Sequence, residues 1–190
     1  MDAVKSRHNM RETDHIRSSL RIIRFGLPVA ALALLFGCGY RFAGAPRDNP
    51  YPPDLKTIVL ESAVNNTIVT GIETELTNEL RQEFALGSGL TPVRSEGDTI
   101  LKTIISSYVD TPSMYKADGK ELIRIGVLRV DCYLRRADNN KVIWQKELSA
   151  SYPYNVTDTI SETLSNRRRA ISKMIKDVAP RLHRSMYDNF

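Results

Sequence analysis

Ile100–Tyr152 reads ILKTIISSYVDTPSMYKADGKELIRIGVLRVDCYLRRADNNKVIWQKELSASY, and its two turns set a register that assigns each side chain to a face. Asp118-Gly119 is a strong two-residue hairpin signal. It pairs Ala117 with Lys120, and therefore Val109 with Leu128, Ser107 with Val130, Ile105 with Cys132 and Thr103 with Leu134. The opposite face carries Lys102, Ser106, Tyr108 and Asp110 against Arg135, Asp131, Arg129 and Val127. One apolar and one mostly polar face is what a half-buried antiparallel pair requires. A three-residue loop at Asp138-Asn139-Asn140 adds a third strand, with Trp144 beside Leu134, Leu148 beside Val130 and Ala150 beside Leu128. Lys146 falls on the core face opposite Cys132, where snorkelling at a sheet edge would accommodate it.

Past Val109 the alternation breaks. The same register puts Pro112, Met114, Ile123 and Ile125 on the face that had been polar, with Tyr115 and Leu122 on the other and Lys116, Lys120 and Arg124 at or near the tip. Two readings stand. A bulge near Pro112 and Gly126 returns the apolar set to the core, or the tip projects beyond the sheet to meet an amphiphile or a partner protein.

Upstream, Lys56–Glu61 contains Thr57-Ile58-Val59-Leu60 and reads as a short buried strand. Asn65-Asn66 is read as the cap of a helix of about 20 residues, roughly 30 Å long, that ends at Gly87 and Gly89. Ile68, Ile72, Leu76, Leu80 and Phe84 form its buried stripe. Downstream, Thr159-Ile160-Ser161-Glu162 has the form of a capping box. It opens a second long helix with core positions Ile160, Leu164, Ile171, Met174, Ile175, Val178 and Leu182, and Pro180 should kink or shorten its last turns. Arg167-Arg168-Arg169 reads as a solvated helix face, with an anionic binding site as the alternative. The order strand, helix, strands, helix predicts an α/β (α+β) domain: a two-layer sandwich of a mixed, mostly antiparallel sheet with two long helices packed on one face.

The N-terminal stretch has a different logic. A basic region (Lys5, Arg7, Arg11, Arg17, Arg21, Arg24) precedes the 13-residue apolar run Phe25–Gly37. That is the order of a secretory signal, and a spanning helix needs about 20 residues. Removing the six Lys/Arg and three Asp/Glu of residues 1–37 from the totals of 27 and 22 leaves 21 against 19, a net charge of +2. So small a surplus offers no concentrated basic face for nucleic acid. Gly39–Asp54 holds four prolines and two glycines and reads as a tether. The expected organisation is a signal peptide at 1–37, an N-terminus and tether at 38–54, and one domain at 55–190.

Leu35-Phe36-Gly37-Cys38 resembles the lipobox of bacterial lipoproteins, with Phe36 where the box usually has a small or β-branched residue. The resemblance implies that Cys38 becomes the acylated N-terminus, and Gly39 resembles the signal for outer-membrane sorting. An ordinary secretory signal with a chance cysteine is the alternative. Several acyl chains, at about 0.8 kcal/mol per buried methylene, anchor firmly where one is marginal. With Cys38 acylated, Cys132 is the remaining thiol and no intrachain disulfide forms.

A wider set of residues resembles the LptE family of lipopolysaccharide-assembly lipoproteins. The pieces are Cys38-Gly39-Tyr40-Arg41-Phe42, Asn65-Asn66-Thr67, Glu75-Leu76-Thr77-Asn78-Glu79-Leu80-Arg81-Gln82-Glu83-Phe84, Ala117-Asp118-Gly119, Lys141-Val142-Ile143-Trp144 and Tyr152-Pro153. The resemblance implies an outer-membrane subunit of the lipopolysaccharide transport machinery, on the periplasmic side, that plugs and helps assemble the LptD β-barrel. It also implies lipopolysaccharide contact through basic residues, with Lys116 at the matching tip position, and Lys120 and Arg124 beside it complete the candidate contact set. A second basic position in the last loop has no counterpart, because Tyr154–Ser161 contains no lysine or arginine.

Two other classes compete. Catalysis would need a nucleophile with a base, or a metal cluster. After Cys38 the chain offers only His183 and Cys132, in no recognisable triad or ligand spacing. We therefore expect no enzyme activity, no cofactor and no metal. A generic envelope lipoprotein that binds a small amphiphile or peptidoglycan, with no barrel partner, is the other alternative.

Overall fold

The computed structural model describes residues 49–190. In chain order the elements are β1 (Thr57–Leu60), β2 (Val64–Asn65), α1 (Ile72–Leu86), β3 (Thr91–Val93), β4 (Thr99–Tyr115), β5 (Glu121–Arg136), β6 (Val142–Asn155) and α2 (Ile160–Tyr187). They form one six-stranded sheet ordered β3-β1-β4-β5-β6, with β2 also beside β4. β4, β5 and β6 are antiparallel, whereas β1 runs parallel to β3 and β4, and β2 parallel to β4. This is the mixed, mostly antiparallel two-layer architecture expected from the residue pattern. Both helices contribute to a single core with one face of the sheet, where Ile105, Leu128, Val130 and Leu134 meet Phe84, Ile175 and Leu182.

The β5–β6 register matches expectation: Leu134 faces Trp144, Val130 faces Leu148, Leu128 faces Ala150 and Cys132 faces Lys146. Lys146 resolves its conflict as an edge-strand side chain does, reaching out so that its ammonium donates to the Ser185 hydroxyl on α2. The β4–β5 register differs by up to two residues, with Ile105 opposite Val130 and Thr103 opposite Cys132. Two local features cause the shift. The turn is a three-residue loop, closed by Lys116 N–H to Lys120 O at 2.7 Å and with Gly119 at φ 83°, so Lys116 replaces Ala117 as the partner of Lys120. A bulge at Ser106 then adds one more residue to β4. Beyond it Tyr108, and not Ser107 or Val109, stands on the helix side opposite Leu128.

Each helix departs from its sequence pattern at the N-terminal end. Asn65 lies in β2 and builds the following loop: its carbonyl accepts from Thr67 N–H and its amide donates to Val69 O and Glu73. α1 therefore starts at Ile72, after Gly71 at φ 88°, and Ile68 is 94% exposed. In α2, Thr159 makes no side-chain cap, and Thr163 instead bonds back to Thr157 N–H at 2.9 Å. Ile160 and Leu164 are 78% and 54% exposed, so α2's buried stripe begins at Ala170. α2 runs through Pro180 to Tyr187. A helix-interior proline costs about 3 kcal/mol, and burying Leu182 and Met186 beyond it, at roughly 1.5–3 kcal/mol each, offsets that.

Candidate functional site: the hairpin tip

β4 and β5 are the longest strands, and their turn end carries exposed apolar side chains. Met114 is 50% and Tyr115 58% exposed. A register shift occurs between Pro112 and Met114, yet it does not return these side chains to the core. Lys116 lies 3.5 Å from Asp158, in the loop before α2, and Lys120 lies 3.8 Å from Asp118. Both lysines meet surface carboxylates. Among the residues expected at the tip, these two cations are brought together.

Arg124 is placed differently. It sits one step back on β5, where its guanidinium contacts Asp110 at 2.9 Å and Glu121 at 2.7 Å and donates to the Asp110 carbonyl at 3.1 Å. Arg167 closes on the same Asp110 carboxylate at 3.0 Å and lies over the Tyr108 ring at 4.9 Å from its centroid. Arg167 therefore leaves the solvated face read from Arg167-Arg168-Arg169, while Arg168 and Arg169 remain exposed. Burial, reinforced by Asp110, pushes the Tyr154 phenol up to about 12, and burial also raises that of Tyr108. This brace of one carboxylate, two guanidiniums and two tyrosines ties the hairpin to the first half of α2. Sequence reasoning missed it, because the bulge at Ser106 is what turns Tyr108 and Asp110 towards the helix.

The remaining residues weighed for chemistry have structural surroundings. Cys132 is buried in the core, and burial pushes its thiol up to about 12. His183 packs edge-on against Phe84, with ring centroids 4.9 Å apart. Among the described residues no group of three or more His, Cys, Asp or Glu side chains could hold a metal ion. Cys38 lies outside the described residues.

The model of one protein family, LptE lipopolysaccharide-assembly, matches residues 55–186, from two residues before β1 almost to the end of α2. The chain belongs to the LptE family. Solved structures agree with this LptE assignment at the level of fold. The lipoprotein B of Nitrosomonas europaea is 14% identical, with a TM-score of 0.53 over 78% of this chain and 90% of that one. The rare lipoprotein B of Shewanella oneidensis is also 14% identical, with a TM-score of 0.50 over 69% of this chain and 95% of that one. No curated protein matches the sequence. LptE membership places the chain in a lipopolysaccharide-assembly family.

Proposed function

We propose that the mature protein is acylated at Cys38, faces the periplasm from the outer membrane, and acts as plug and assembly partner of a large LptD-like β-barrel. Its hairpin tip contacts lipopolysaccharide, with Lys116 and Lys120 meeting phosphate groups while Arg124, already engaged by Asp110 and Glu121, holds the hairpin in position. It performs no bond-making step of its own. The observation that supports this reading best is the tip itself: exposed Met114 and Tyr115 beside two lysines that hold only surface carboxylates. Exposed apolar surface next to cations suits a ligand with acyl chains and phosphates.

Affinity purification of the tagged full-length protein in mild detergent tests the partnership. A stoichiometric complex with a large outer-membrane β-barrel is the expected result. Recovery of the protein alone would overturn the assembly role and favour a free-standing amphiphile-binding or peptidoglycan-binding lipoprotein.

A further inference from the structure

The sheet packs its helices on one face, and among the described residues no element covers the other. Along that open face the side chains change character abruptly. From the turn end, the cross-strand rows are Met114 with Ile123, Thr111 with Ile125 and Val109 with Val127. The next row is Ser107 with Arg129, and Asp131, flanked by Ile104 on β4 and Glu147 on β6, follows. Val109 and Met114 are exposed, and Ile123, Ile125 and Val127 are partly so. A sheet face turned to water is normally polar, so this apolar band calls for an occupant.

From Ile123 to Val127 the band is about 14 Å long, and across two strands it is about 10 Å wide, roughly 140 Å² in all. A stable protein interface needs about 800 Å² per partner. The band is therefore too small to seat a protein wall or a second copy by itself, and its dimensions suit a single acyl chain. The two ends differ in charge: Lys116, which reaches round to Asp158, and Lys120 close the turn end, while the other end runs into Arg129, Asp131 and Glu147 on β5 and β6, with Ile104 beside them on β4. We infer that the open face of the hairpin, from Met114 and Ile123 to Val109 and Val127, seats an acyl chain of a phosphorylated lipid whose head is held by Lys116 and Lys120. This rests on the lipopolysaccharide contact proposed for the tip. It adds which face takes the chain and in which direction the molecule lies.

The test uses the full-length lipidated protein in phosphatidylcholine nanodiscs, with acylated lipopolysaccharide and the same molecule stripped of its acyl chains as probes. Val109→Ser with Met114→Ser removes two exposed apolar side chains that touch no core. Binding of the acylated probe should weaken about tenfold, the order expected for about two buried methylenes, while binding of the deacylated probe stays unchanged. Equal affinity of the variant and the natural protein for the acylated probe would overturn the assignment. A photo-crosslinker at Val109 gives a readout that does not depend on the variant's stability. It should capture the acylated probe, whereas the same group at Gln145, farther along the open face, should not. Capture of a barrel protein or a second copy at Val109 would assign the band to that partner instead. If the natural protein binds neither probe, the tip reading itself fails, and that outcome is distinct from a band that merely makes no contribution.

Discussion

Lys116 and Lys120 differ from Arg124 in what their charges already hold. An exposed ion pair is worth about 0.2–1 kcal/mol, so a phosphate with several acceptor oxygens can displace Asp158 or Asp118. Arg124 has two carboxylates and a carbonyl within 3.1 Å, and freeing it would undo the brace. Lys116→Asp with Lys120→Asp should therefore weaken lipopolysaccharide binding at least tenfold and leave the melting temperature unchanged. Binding and melting measured on one preparation check this, and an unaltered affinity would remove the tip as the contact. Asp98 illustrates a different residue-level role. One of its carboxylate oxygens accepts from the backbone N–H of Lys56 and Thr57 and from the Thr57 hydroxyl, which ties β1 to the start of β4. The Lys56 N–H first, and then the two Thr57 donors, hold its carboxyl below the ordinary carboxylate value. Its contribution to stability is thus present above the unfolded value, near pH 4, and is lost as pH falls through the lower folded value. Urea midpoints between pH 3 and 6 should fall at the acid end for the natural protein. Asp98→Asn should begin lower and vary less with pH.

At the scale of elements, the β4–β5 hairpin is held to α2 through Asp110. Its carboxylate is the shared acceptor for Arg124 and Arg167, and removing it leaves two partly buried guanidiniums without that partner. Asp110→Ala should cost about 1.5–3 kcal/mol, the range for hydrogen bonds to charged groups, read as a lower urea midpoint. Arg167→Ala in the same background should then cost little more, because the two side chains act as one unit. The third strand shows why some registers are legible and others are not. Leu134, Val130 and Leu128 meet their predicted partners on β6 because one apolar face has to be buried. An extra residue in a bulge has no comparable signature. Ser106 follows two isoleucines and precedes a second serine, so nothing in the residue types marks which position is the extra one.

At the scale of the whole molecule, the two ends of α2 have different neighbours. Within the stretch read as a tether, Tyr51 is already buried, its ring 4.9 Å from Phe190 and 6.5 Å edge-on from Tyr187. The hairpin turn lies at the other end, where Lys116 reaches Asp158 just before Ile160. A 28-residue helix spans about 42 Å, so the chain enters the domain far from the tip that is proposed to meet lipid. Cys38→Ala should abolish incorporation of labelled fatty acid while leaving the melting of the folded domain unchanged. Label retained by that variant would place acylation at another residue.

The amino-acid sequence by itself determined the layer architecture, the central helix stripes and the β5–β6 register. Each follows from periodic burial: an apolar face repeated at a period of 2 or 3.6 residues has to meet another such face. Only the tertiary structure decided where those patterns stop counting. Ile68, Ile160 and Leu164 keep the helical spacing yet face water, because the loop built by Asn65 and the overhanging start of α2 lie beyond the packed layer. Likewise the Ser106 bulge brings Tyr108 and Asp110 round to Arg124 and Arg167, since an unpaired residue in a strand reverses the facing of every side chain after it.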